Sequence, residues 1–130
     1  MILVDTTVWI DFFNDHSTAQ VTIFENALKN SEDVCICGVI LTELLQGIRD
    51  DAQYLKTKSY LENLIFLPMN YSTFIKAAEI FRYLRKRGIT IRKSADCMIA
   101  AVSVENDVPL LHSDRDFEHI ELFEGFRTVK

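Results

Sequence analysis

An α/β fold, with a mainly parallel sheet covered by helices on both faces, is predicted by three features of the sequence. Short apolar runs alternate along the chain with stretches of helical periodicity. The first run, Ile2-Leu3-Val4, is continuous, as in a strand buried on both faces. The only two prolines, Pro68 and Pro109, each stand beside a short apolar run where a loop joins a strand. Sites in such sheets form beyond the carboxyl ends of the strands.

The elements follow in order. Ile2-Leu3-Val4 predicts the first strand, Thr7 to Phe13 a short helix and Val21 to Leu28 a second helix. Val34 to Cys37 is the next strand, and Gly38 leads into a helix carrying Ile40, Leu41, Leu44, Leu45 and Ile48. A helix around Tyr54 to Leu64 precedes a strand at Ile65 to Leu67. From Ser72 to Arg87 the residues Phe74, Ala77, Ala78, Phe81 and Leu84 repeat at helical spacing, with Gly88 at the stop. Ser94 to Glu105 is the last long helix, with Ala95, Met98, Ile99 and Val102 on one face. Leu110-Leu111, a short helix near Asp116 to Ile120 and a terminal strand around Phe126 complete the pattern.

Four acidic residues fall beside apolar segments of this pattern. Asp5 follows the first strand and Asp114 lies just beyond Leu110-Leu111. Glu43 is in the second turn of the helix after the second strand, and Asp96 is in the first turn of its own helix. Singly, Asp5 and Asp114 read as helix N-caps and Asp96 as a complement to a helix dipole. Glu43 borders an apolar face with no basic partner, and Gly47 beside it is expected to admit a close approach. Gathered at one sheet edge, the four form a site for Mg²⁺ or Mn²⁺, since hard cations take oxygen ligands and close carboxylates repel unless a proton or cation intervenes.

With 130 residues, 48% hydrophobic and 25% charged, the chain is expected to form a single domain over residues 1–130. No apolar run reaches the roughly 20 residues of a membrane span, and the N-terminus lacks a secretory pattern, so a cytoplasmic protein is expected. Cys35, Cys37 and Cys97 are odd in number and lack a zinc or redox spacing, so they are expected to be reduced thiols. The net charge of −5 argues against a general nucleic-acid coat protein without excluding a local basic surface.

The residues that carry these signals resemble a known family. Met1-Ile2-Leu3-Val4-Asp5-Thr6-Thr7-Val8-Trp9-Ile10-Asp11-Phe12-Phe13, Leu41-Thr42-Glu43-Leu44-Leu45-Gln46-Gly47, Ser94-Ala95-Asp96-Cys97-Met98-Ile99-Ala100-Ala101 and Leu110-Leu111-His112-Ser113-Asp114-Arg115-Asp116-Phe117 together resemble the PIN-domain ribonucleases, in particular the VapC-type toxins of bacterial toxin–antitoxin pairs. The resemblance covers essentially the whole chain. It implies a three-layer α/β/α domain, with Asp5, Glu43, Asp96 and Asp114 as catalytic metal-site residues and Asp116 as an accessory ligand. His112 stands where such proteins often carry a small hydroxyl residue, and it is read as structural.

The resemblance further implies a toxin that hydrolyses RNA, tRNA or another structured RNA, with metal-activated water. A VapB-like antitoxin would be its partner, and a homodimer its assembly. Thr6 and Thr7 are candidates to hydrogen-bond a ligand carboxylate, or are helix caps. The basic stretch Arg82, Arg85, Lys86, Arg87, Arg92 and Lys93 leads into the Asp96 helix. Within it Arg85, Lys86 and Arg92 are the candidates for RNA phosphates, against a solvated helix face. Trp9, Phe12 and Phe13 are expected to pack in the core, with an antitoxin groove as the second reading. A receiver-type signalling domain pairs two acids after its first strand, and a haloacid-dehalogenase phosphatase needs a second Asp two residues after the first. Asp5-Thr6-Thr7 fits neither, which leaves a non-catalytic RNA- or partner-binding PIN-like module as the alternative.

Overall fold

Strand β1 (Ile2–Val4) lies at the centre of a computed structural model that describes residues 1–130. It pairs in parallel with β2 (Val34–Cys37) on one side and β4 (Leu110–Leu111) on the other. Strand β3 (Ile65–Leu67) adds beyond β2, so the order is β3-β2-β1-β4 and every pairing is parallel. Strands β1, β2 and β4 are buried at every residue, which requires cover on both faces and explains their unbroken apolar sequences.

Seven helices provide that cover: α1 (Thr6–Phe13), α2 (Ala19–Lys29), α3 (Gly38–Gln46), α4 (Asp51–Leu61), α5 (Tyr71–Arg85), α6 (Ser94–Asn106) and α7 (Arg115–Ile120). The result is a three-layer α/β/α arrangement. Side-chain caps set several of the starts. Thr18 accepts from the Val21 amide at 3.0 Å and Asp50 from the Gln53 amide at 2.8 Å. The Asp50 cap starts α4 at Asp51, ahead of the expected Tyr54, and the helix ends at Leu61 rather than Leu64. After α5, Gly88 adopts φ +80°, and the Ile89 amide closes back on the Leu84 carbonyl at 3.0 Å.

Two helix faces and the final strand differ from expectation. On α5 the buried residues are Thr73, Ala77, Ile80 and Leu84, whereas Phe74 is 47% exposed, so the core-facing stripe is rotated from the one the aromatics suggest. Helix α6 is buried at Asp96 and Cys97 and from Ile99 to Ser103, because it is packed on several sides. No strand forms at Phe126. The chain end instead makes one parallel bridge, Leu110 to Thr128, with Phe126 turned into the core.

Trp9, Phe12 and Phe24 pack edge to face, with Trp9 to Phe24 at 4.8 Å and Phe12 to Phe24 at 5.0 Å between ring centroids. Trp9 and Phe24 are inaccessible to solvent, which makes Trp9 a core residue, while Phe13 is 39% exposed. The three cysteines are free and buried. No helix is long and apolar enough to cross a membrane.

Candidate metal centre

The parallel pairing of β1 with β4 brings the two ends of the chain's acidic set together. The Asp5 amide donates to the Leu111 carbonyl at 2.9 Å, so the turn out of β1 lies against the turn out of β4. Asp5 caps α1, and its Oδ2 accepts from the Thr7 amide at 3.2 Å and the Thr7 hydroxyl at 2.7 Å. Asp114 caps α7, its Oδ1 accepting from the Asp116 amide at 2.9 Å. Both carboxylates are therefore N-caps, and in each the capping bonds use a single oxygen. Asp96 stands in the first turn of α6 and is buried.

Asp96, Asp114 and Asp116 form the tightest group, each offering a carboxylate oxygen within 4.8 Å of the others. Asp5 lies outside this trio but its charge acts on Asp96, and the charge of Glu43 acts in turn on Asp5. Burial is the main cause that lifts the Asp96 carboxyl to about 7, the charge of Asp114 adds to it, Lys93 opposes, and Asp5 and Asp116 add smaller contributions. Asp5 is also raised, chiefly by burial, with hydrogen bonds from Thr7 and Thr6 opposing and the Glu43 charge contributing. Asp116, expected as an accessory, is buried within the tightest group because it follows Asp114 by two residues at the start of α7.

Two oxygens of the group, Asp96 Oδ2 and Asp116 Oδ2, are buried without a hydrogen-bond partner. A buried, unpaired carboxylate oxygen is costly. The donor set is oxygen only, which suits a hard divalent cation. Burial raises the nearby Cys97 to about 11 and raises Cys37 as well, so both thiols are protonated in the metal-free protein. These residues fit a hard divalent cation.

Hydroxyl groups orient the remaining acids. Thr6 donates to Glu43 Oε1 at 2.7 Å, which ties α1 to α3. Thr7 donates to Asp5 and accepts the Ser113 amide at 3.1 Å, which ties α1 to the loop after β4. Gly47 does not receive the expected close approach: it ends α3 as the C-cap, and a Cβ there would meet only ordinary contacts at 3.7 Å or more. Glu43 lines one cleft with Val39, Met69, Phe74 and Ala95 and another with Gly47, Ile10 and Phe13.

Of the basic residues, Arg92 reaches the centre, its Nε 3.8 Å from Asp116 Oδ2. Lys93, the residue before α6 and part of the basic stretch, places Nζ 3.7 Å from Asp114 Oδ2, a contact not expected from the sequence. Its position three residues before Asp96 was the available signal. Arg85 stacks over the Phe81 ring at 5.6 Å and lines an apolar cleft with Cys97 and Met98, and Lys86 is exposed at the end of α5. His112 is half-buried, and burial lowers its pKa, outweighing the surrounding acids.

Residues 2–122 match the PIN domain family, and the chain belongs to it. It is 31% identical over 122 residues to Ribonuclease VapC11 of Mycobacterium tuberculosis, which covers 92% of this chain and 91% of that one. Its fold is shared by VapBC2 of Rickettsia felis bound to a promoter DNA fragment (TM-score 0.78, 20% identity, 99% of this chain and 98% of that one). FitAcB of Neisseria gonorrhoeae is similar as well (TM-score 0.76, 21% identity, 100% and 97%).

Proposed function

We infer that this protein is a divalent-metal-dependent endoribonuclease, the toxin of a type II toxin–antitoxin pair. The observation that carries the reading is the pair of buried oxygens without a hydrogen-bond partner, Asp96 Oδ2 and Asp116 Oδ2, in an all-carboxylate group on a chain akin to a VapC ribonuclease. Asp96, Asp114 and Asp116 would hold the ion, with Asp5 and Glu43 completing its surroundings. When bound, Mg²⁺ or Mn²⁺ supplies Lewis acidity, acidifying a coordinated water and neutralising charge on phosphate oxygens.

The chain's own groups do the rest. Thr7 holds Asp5 through Oδ2, and Thr6 holds Glu43 through Oε1, so both acids meet the reacting region in a set orientation. Arg92 and Lys93, already beside the carboxylates, are placed to gather the phosphates of an incoming RNA. Structured RNA is the substrate class and a VapB-like protein the partner, on the strength of kinship with VapC ribonucleases; a homodimer in the cytoplasm is expected on the same ground.

Cleavage of structured RNA with Mg²⁺ or Mn²⁺, and its loss with a chelator or with Asp96→Asn, tests the reading. The protein expressed alone should arrest bacterial growth, and Asp5→Asn should relieve the arrest. Harmless wild-type protein at matched expression counts against a toxin, and toxicity retained by a folded Asp5→Asn variant points to binding without catalysis.

A further inference from the structure

The loop from β4 to α7 holds its acids through a chain of bonds to main-chain amides. The Ser113 amide is taken by Thr7 Oγ1 at 3.1 Å and the Asp116 amide by Asp114 Oδ1 at 2.9 Å. Between them the Asp114 amide donates to His112 Nδ1 at 3.2 Å. The imidazole lies against the buried Phe117 ring, centroids 5.1 Å apart and planes at 49°. Phe117 belongs to α7, so the ring is fixed by the helix whose start it helps define.

We propose that His112 is a positioning residue for the acidic centre: its Nδ1 accepts the Asp114 amide and its contact with Phe117 fixes the ring, which together set the direction in which Asp114 presents Oδ2. Short polar side chains commonly bond the backbone two residues on, and here an imidazole nitrogen performs that role. Without an acceptor, the Asp114 amide loses its partner in a half-buried loop, and the residue is left held by its cap on α7 and the exposed Lys93 ion pair. Asp114 Oδ1 is committed to that cap, so the loop must aim Oδ2 correctly by its backbone direction.

The assignment requires the neutral ring to carry its proton on Nε2. It rests on the metal-centre reading above, so the test includes arms that do not depend on metal. Long-range ¹⁵N correlation of the wild-type protein should show the Nε2–H tautomer, and the Asp114 amide should be protected from exchange. An Nδ1–H tautomer, or a fast-exchanging Asp114 amide, overturns the proposal whatever the metal does. His112→Phe keeps a ring against Phe117 but has no acceptor, whereas His112→Asn restores one. Titration with Mn²⁺ alone should show affinity lowered about 10-fold or more in His112→Phe, as is typical for lost outer partners of a metal site, and largely recovered in His112→Asn. Asp96→Asn is the control for the centre. If wild type binds Mn²⁺ no better than Asp96→Asn, the metal-centre reading fails while the tautomer and exchange data still decide the role of His112. If Asp96→Asn loses Mn²⁺ but folded His112→Phe binds it as wild type does, His112 does not position the site. Should His112→Phe fail to fold, equal loss of Mn²⁺ affinity in folded His112→Asn overturns the proposal.

Discussion

The Thr7 hydroxyl donates to Asp5 Oδ2 at 2.7 Å while accepting the Ser113 amide at 3.1 Å, so one side chain joins the end of β1 to the loop after β4. Those two segments are separated by more than a hundred residues of chain, and each carries an acid, Asp5 and Asp114.

Thr7→Val, which keeps the shape but removes both bonds, should lower Mn²⁺ affinity about 10-fold or more, and Thr7→Ser should retain most of it. Calorimetric titration of the two variants checks this. Equal affinities would make Thr7 a helix cap with no influence on the metal.

The raised carboxyls give the metal-free protein a defined pH dependence. Asp96 has a folded pKa of about 7, above its ordinary 3.8. The stability it contributes is therefore complete below about 3.8 and is lost as pH rises through about 7; Asp5 acts in the same direction. Metal-free protein should lose on the order of 3 kcal/mol between pH 4 and 8 from Asp96, because each pH unit between its unfolded and folded pKa costs up to about 1.4 kcal/mol. Asp96→Asn should remove most of that slope, and saturating Mg²⁺ should reverse it near neutrality, because binding requires the ionised carboxylate. Thermal melts across this range, with and without Mg²⁺, are the measurement. A melting temperature indifferent to both would deny that the carboxylates cluster.

The basic residues separate by position. Arg92→Gln with Lys93→Gln should weaken RNA binding and flatten its salt dependence, since fewer counterions are released per complex. The loss should appear more in KM than in kcat. Arg85→Gln with Lys86→Gln should do less, because Arg85 is engaged with Phe81 and neither residue has an acid of the centre as its partner. Binding measured against salt for both pairs decides it; equal effects would mean that RNA also tracks the end of α5.

By itself the sequence determined the order of elements as far as the last short helix, and that Asp5 and Asp114 stand just beyond strands. Continuous runs such as Ile2-Leu3-Val4 have one use in an α/β chain, and Asp5 and Asp96 are fixed to their elements by adjacency. The family resemblance also implied Asp116, as an accessory ligand. Tertiary structure decided the rest. The face that α5 buries depends on its packing against α6, which outweighs the aromatic stripe: Phe74 is left half exposed and Ile80 is buried. The end of the chain is a single bridge at Thr128 because Leu110 offers it one carbonyl and one amide, not a full strand edge. Which acids draw tightest, and the links of Thr7 to Ser113 and Thr6 to Glu43, depend on the parallel register of β1 with β4 and the seating of α1 on α3. Those contacts join residues far apart in the chain, and local propensity carries no record of such distances.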